Sequence, residues 1–235
     1  MFDNDKNTYS LFSEGLFGRL RQDCQKEWQQ FIHHPFVKAL GKGSLPVEEF
    51  RKYLVQDYLY LLDYSRVEAL AIYKSNSLWE MQYFLSLLKG LIEIELPLHL
   101  SYCKQWGIEI DFIENERKSI ELVAYSQYLL TKSMQGDLLD IVILILPCLI
   151  GYGEIGLNLL NDQEFDKRDH PYLSWLETYG SDSYYSLVKK SIMFLDQIAF
   201  QYGAEQRYPM ILRKFKEVVQ LETAFWNVGK NNLPF

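Results

Sequence analysis

Residues 53–64 read Tyr53-Leu54-Val55-Gln56-Asp57-Tyr58-Leu59-Tyr60-Leu61-Leu62-Asp63-Tyr64. Tyr53, Asp57, Tyr60 and Tyr64 fall at i, i+4, i+7 and i+11, positions that share one face of an α-helix, whereas a strand would change face at every residue. The same period recurs outward in both directions. Upstream, Leu16, Leu20, Cys24, Trp28 and Phe31 mark a helix over about 10–33. It ends at His34-Pro35, because the residue before a proline is pushed out of the helical region. Gly41-Lys42-Gly43 makes a turn. Ser44 can then cap the helix holding the quoted stretch, whose first turn has Pro46, Glu48 and Glu49 and which runs to about Ser75. Downstream, the spacing predicts helices over about 78–105 with a kink at Pro97, then 117–135, 138–161, 170–179, 182–202 and 206–226, with 107–115 as a loop. No run alternates strictly as a strand does. The expected fold class is all-α. With no repeated segment and no Pro/Ser-rich linker, residues 1–235 read as a single helical domain.

Composition narrows the function. The 235 residues are 48% hydrophobic, enough for a substantial core. Lys+Arg 24 against Asp+Glu 31 gives 24 − 31 = −7, which argues against nucleic acid as a partner, since phosphate backbones need clustered cations. The start, MFDNDKNTYS, has aspartates where a signal peptide carries lysines, so export is not expected. The longest apolar stretch, Leu138 to Ile150, is interrupted by Asp140 and Pro147 and falls short of the roughly 20 residues that cross a bilayer. It reads as a buried core helix, with no membrane partner. Cys24, Cys103 and Cys148 are an odd number without a CxxC pair, which fits neither a disulfide framework nor a zinc site. The expected location is a reducing, cytoplasmic compartment. Aromatic residues, 17 Tyr, 14 Phe and 5 Trp, exceed what packing a small helical domain needs; many of the tyrosines can line a pocket for a flat ring.

Three places combine chemistry with a helical face. Asp57 sits among Tyr53, Tyr60 and Tyr64, where burying a carboxylate is costly without partners; the competing reading is an exposed aspartate beside core tyrosines. Pro147 lacks the N–H that would bond back to Ile143, so the helix should bend where Cys148 begins a face shared with Tyr152. A lone buried cysteine otherwise behaves as a small hydrophobe. Glu222 shares a face with Phe225 and Trp226, and by itself reads equally as an exposed acid beside partly buried aromatics. Metal-binding bundles repeat Glu-x-x-His on facing helices. Here Glu93, Glu95 and His99 supply one i, i+4 pair without a second copy, so no metal is expected.

In chain order, the motifs are His34-Pro35-Phe36, Gly41 to Pro46, Gln56-Asp57 to Tyr60, Leu146-Pro147-Cys148 with Tyr152-x-Glu154-Ile155-Gly156, His170-Pro171 to Trp175, Thr178-Tyr179-Gly180, and Glu222 to Phe225-Trp226. Together they resemble the thiaminase II (TenA) family over nearly the whole chain. The resemblance implies a haem-oxygenase-like helical bundle without haem, commonly a homotetramer. It places Cys148 at the family's nucleophile, Asp57 at the aspartate holding the aminopyrimidine edge, and Glu222 at a carboxylate that moves protons. Tyr60, Tyr125, Tyr152 and Tyr179 match pocket tyrosines. A second branch of the family lacks the cysteine; its presence here implies thiamin and its aminopyrimidine breakdown products as substrates, with no cofactor.

The sequence departs from the family after the cysteine, where Leu149-Ile150-Gly151-Tyr152-Gly153 replaces bulky aromatics. Two glycines cost a helix about 1 kcal/mol each against alanine, so they should permit a close helix or ligand contact. Two rival readings are a metal- or cofactor-dependent oxidase on the same bundle and a non-catalytic aminopyrimidine-binding regulatory protein.

Overall fold

The computed structural model describes residues 10–230 apart from Glu164, and every regular element among them is helical. In chain order these are α1 (Gly15–Asp23), α2 (Gln25–Ile32), α3 (Pro35–Gly41), α4 (Val47–Lys74), α5 (Leu78–Gly90), a π-helical turn (Leu91–Glu95), α6 (Leu96–Gln105), α7 (Ile110–Asn115), α8 (Ile120–Gln135), α9 (Leu138–Leu160), α10 (Leu173–Tyr179), α11 (Asp182–Gln201) and α12 (Ala204–Phe225). The chain divides into two compact units. One comprises the residues up to Ser44 and Val142–Thr223, the other Leu45–Ile141 and the residues from Ala224 on.

In the second unit α4 is the hub, packed against α5, α6, α7, α8 and the π-helical turn. Its 28 residues bury Phe50, Leu54, Val55, Leu59, Leu61 and Val67 along with the tyrosines of the quoted stretch. Each large apolar side chain contributes about 1.5–3 kcal/mol relative to exposure. The side-chain amide of Gln56 donates to the Arg117 carbonyl at 2.9 Å and accepts from the Ser119 N–H at 2.8 Å. It thereby fixes the start of α8, where the Ser119 hydroxyl caps Leu122.

The first unit is built on an aromatic core. Trp28 stacks on Phe215 at 5.8 Å and 11°, and meets Phe17 and Phe31 edge-on at 5.5 and 5.7 Å. Asp196 of α11 accepts from the Leu16 N–H at 2.9 Å, satisfying an otherwise orphaned donor at the start of α1.

Several boundaries differ from the sequence reading. The first helix breaks at Cys24, whose backbone leaves the helical region at φ −114°, ψ 20°. Residues 35–41 form α3, since Pro35 at a helix's first turn gives up an N–H that needs no partner and His34 accepts from the Phe36 N–H. Pro46, not Ser44, precedes α4. The helix expected over 78–105 is interrupted by the π-helical turn just before Pro97, where the missing N–H disrupts the i→i−4 ladder. Residues 110–115 are helical rather than loop. Helix α9 runs beyond the 13-residue apolar stretch, so at 23 residues it is the one described helix long and apolar enough to cross a membrane. Within its most apolar window, 94% of the residues are buried inside the molecule.

Candidate functional site

Each unit holds part of the residue set that the sequence singles out. In the first unit, α9 carries Cys148 and, one turn on, Tyr152. Cys148 is in no disulfide and is partly exposed, while Cys24 and Cys103 are buried. Burial pushes the Cys24 thiol up to about 12 and that of Cys103 up to about 11, so both stay protonated and unreactive. Tyr152 and Tyr179 lie 5.1 Å apart, and Trp175 sits 4.5 Å from Tyr179 and 5.9 Å from Tyr152. Tyr184 meets Tyr179 edge-on at 5.1 Å and donates its hydroxyl to the Leu149 carbonyl at 3.1 Å, one residue from the cysteine. Glu222 is 1% exposed, so the reading as a solvated surface acid is set aside. An acid buried this deeply needs a structural or chemical reason.

The glycines after the cysteine serve helix contacts. A Cβ on Gly151 would lie 2.2 Å from the Phe31 ring, and one on Gly153 would lie 2.8 Å from Val188 and 3.2 Å from Tyr184. Of the two purposes expected for them, close helix packing is the one seen.

In the sequence Glu154 stands out only as part of a motif, and the structure gives it partners. Nearly fully buried, it receives Arg21 through Nη2 at 2.5 Å and Nε at 3.1 Å, and the Trp28 indole N–H at 2.9 Å. This bidentate pair ties α1 and α2 to α9 and holds the helix that presents Cys148.

In the second unit Asp57 is 3% exposed, among side chains of α4 and α6. Its Oδ2 accepts from the Tyr53 hydroxyl at 3.0 Å and lies 2.7 Å from His99 Nε2. His99 is 1% exposed, and its Nδ1 lies 3.1 Å from the Glu95 carbonyl in the π-helical turn. Burial alone would lower the His99 pKa. The hydrogen bond and charge of Asp57, with Glu95, more than offset it and hold the imidazole above its ordinary 6.5. Tyr60 stacks on Tyr125 at 4.9 Å and 28°, and Tyr64 and Phe225 each lie 5.6 Å from Tyr60. The residues expected in this part, Asp57, Tyr60 and Tyr125, are therefore all buried on adjoining helix faces.

His99 is the buried partner of Asp57 that sequence reasoning misses. The sequence weighs it only as half of a Glu95–His99 ligand pair and sets that pair aside, whereas its partner Asp57 is 42 residues away on another helix. Among the described residues no group of three or more His, Cys, Asp and Glu is arranged to hold a metal ion. A cavity of about 460 Å³ in the second unit is lined by residues including Arg51, Gln56, Ile108 and Phe112, and one of about 760 Å³ in the first by residues including Ile32, Lys38, Leu159 and Phe165. None of the expected site residues lines either, so the site is assigned on the chemistry of its side chains rather than on cavity size.

This chain is 34% identical over 213 residues to an aminopyrimidine aminohydrolase of Halalkalibacterium halodurans, covering 90% of this chain and 94% of that protein. It is 35% identical over 215 residues to an uncharacterized protein of Haemophilus influenzae, covering 91% and 98%. Among solved structures it is similar to a TenA family transcription regulator of a Silicibacter species, at a TM-score of 0.85 and 34% identity, covering 91% of this chain and 95% of that one. The TenA structural neighbours have the haem-oxygenase-like all-α fold, and this chain shares it. The model of the TENA/THI-4/PQQC family matches residues 21–231, through both compact units. By that match, the chain belongs to the TENA/THI-4/PQQC family.

Proposed function

We propose that this protein is an aminopyrimidine hydrolase of the thiaminase II type, releasing hydroxymethyl aminopyrimidine from thiamin or its aminopyrimidine breakdown products in thiamin salvage, in the cytoplasm. The observation that carries the reading is the partly exposed Cys148, in no disulfide and one helical turn from Tyr152, in a chain that also buries Asp57 and Glu222. The similarity to an aminopyrimidine aminohydrolase over nine-tenths of the chain supports it.

The chemistry follows from the substrate. A leaving group on the C5 methylene of an aminopyrimidine resists direct displacement. The Cys148 thiolate instead adds to ring C6, forming an S–C bond, while Glu222 delivers a proton to the ring nitrogen that gains charge, with Tyr179 as its hydrogen-bonding partner. The resulting enamine expels the leaving group as an exocyclic methylene forms. Water adds to that methylene and gives up a proton, which passes to solvent for thiamin or offsets the proton an amine leaving group takes up. The ring gives its proton back to Glu222, and the S–C bond breaks to release the thiolate and the hydroxymethyl product. Asp57 accepts from the 4-amino group, and Tyr60, Tyr125, Tyr152 and Tyr179 hold the flat ring and offer hydroxyls to its edge. No cofactor is required. We extend the reading to one functional domain over 1–235, supported by a family match that runs through both units. We also propose a homotetramer, supported by large apolar side chains exposed on the isolated chain, among them Tyr73, Leu78, Leu85 and Ile94.

Turnover by Cys148→Ser, compared with its affinity for hydroxymethyl aminopyrimidine, tests the mechanism. Loss of turnover with binding kept is expected, and turnover within about threefold of wild type would sink covalent catalysis through Cys148. A second reading, a non-catalytic aminopyrimidine-binding regulator, is favoured by the likeness to the Silicibacter protein, which is named a transcription regulator. It requires that wild type bind the pyrimidine and release no product.

A further inference from the structure

The geometry around Asp57 points beyond its own role. A carbonyl oxygen only accepts, so the 3.1 Å contact between His99 Nδ1 and the Glu95 carbonyl puts a proton on Nδ1. The 2.7 Å contact between Nε2 and Asp57 Oδ2 then holds one shared proton. In one arrangement an imidazolium donates to a carboxylate. In the other, a carboxyl O–H on Oδ2 donates to a neutral imidazole. Either way the proton lies between Oδ2 and Nε2, and Oδ2 also takes the Tyr53 hydroxyl at 3.0 Å. The second oxygen, Oδ1, therefore has no proton in either arrangement and can only accept.

We propose that His99 is a positioning residue for substrate choice: by keeping the shared proton on the Oδ2 side, it makes Oδ1 an obligate acceptor that takes an N–H donor and rejects an acceptor. This rests on the aminopyrimidine reading above and names which pyrimidines the site admits. A 4-amino group donates to Oδ1. A 4-oxo pyrimidine, alike in shape, presents a lone pair to a lone pair and leaves a buried acceptor unsatisfied. Asp57 therefore need share no proton with the substrate ring, because Oδ2 is already committed within the protein and only one oxygen meets the substrate. Cys103, whose thiol is pushed up to about 11 by burial and then by the charge of Asp57, stays protonated and does not compete for that proton.

Calorimetry with hydroxymethyl aminopyrimidine and its 4-oxo analogue, on wild type and His99→Gln, tests the proposal. Glutamine keeps an N–H donor toward Asp57 but can neither hold nor release the shared proton, so the buried carboxyl becomes free to take a proton on Oδ1. Wild type should prefer the amino compound by about a hundredfold or more. In His99→Gln that preference should fall at least about tenfold while the circular dichroism spectrum is retained. A role confined to stability would weaken both ligands together and leave the ratio unchanged, which overturns the proposal. Nitrogen-15 correlation spectra of histidine-labelled wild type give a second reading that needs no variant: Nδ1 of His99 should be protonated, and a bare Nδ1 overturns the proposal. Wild type that binds neither pyrimidine sinks the aminopyrimidine reading itself. Wild type that binds the amino compound while His99→Gln keeps the full preference sinks only the role of His99.

Discussion

In the proposed mechanism Glu222 and Cys148 are separable at the residue scale, because one would move a proton and the other would form a bond. Glu222→Gln keeps shape and a hydrogen-bonding group but removes the proton, so kcat should fall by about 10² to 10⁴ while affinity for hydroxymethyl aminopyrimidine is retained. If the acid only anchors the last helix, the same variant loses melting temperature and keeps its kcat. Measuring both on one preparation decides the matter. The sequence makes Asp57, Cys148 and Glu222 visible because each puts a reactive group on an otherwise apolar or aromatic helix face. It does not make His99 visible. The i, i+4 pairing of Glu95 and His99 suggests a ligand pair, whereas His99 uses the Glu95 backbone carbonyl and the side chain of a residue on another helix. Contacts between helices leave no periodic trace along the chain.

At the element scale, α9 is the helix whose local sequence disagrees with helix propensity. Its glycines disfavour a helix, yet the helix runs unbroken from Leu138 to Leu160. Packing resolves the conflict, since the Phe31 ring occupies the space a Gly151 side chain would fill. Gly151→Ala should therefore destabilise the protein: overpacking costs about 1–3 kcal/mol, against a propensity gain of about 1 kcal/mol. Gly90, also helical but with nothing within 4 Å of its Cβ position, gives the opposite expectation. Gly90→Ala should stabilise by about 0.4–1 kcal/mol. Thermal melts of the two variants check this pair, and a higher melting temperature for Gly151→Ala would contradict the packing account. The Glu154 carboxylate makes a related point. Arg21→Ala would leave it buried with only the Trp28 indole, at a cost of order 3 kcal/mol by chemical denaturation. The long helices are legible from the 3.6-residue period, whereas the six-residue α7 lies in a stretch that reads as a loop. The break at Cys24 is not legible, because it interrupts no apolar pattern. Helix α3 also escapes the sequence, since Pro35 marks an ending as readily as a beginning.

For the whole molecule, two buried groups push the pH response the same way. His99 is held above 6.5, so its contribution is fully present below about that pH and is lost as pH rises through its folded value. Glu68 is 2% exposed, and burial, then the charge of Glu95, pushes its carboxyl well above 4.5. Its unfolded counterpart ionises above about 4.5 while the folded group resists, so stability drains as pH rises between the two values. Both effects favour the folded state at lower pH. Glu68→Gln removes one of them, so its melting temperature should gain on that of wild type as pH is raised from about 5 to about 8. Parallel curves would mean that Glu68 ionises as freely folded as unfolded. A hydrolase of this type adds water to an aminopyrimidine methylene, so the new oxygen of its product comes from solvent. Incubating wild type with thiamin, and separately with the aminomethyl pyrimidine, in ¹⁸O-labelled water tests this by mass spectrometry of the product. The expected result, from at least one of the two, is hydroxymethyl aminopyrimidine carrying one ¹⁸O, released over many turnovers and lost in Cys148→Ser. Binding of both compounds without labelled product would contradict the account.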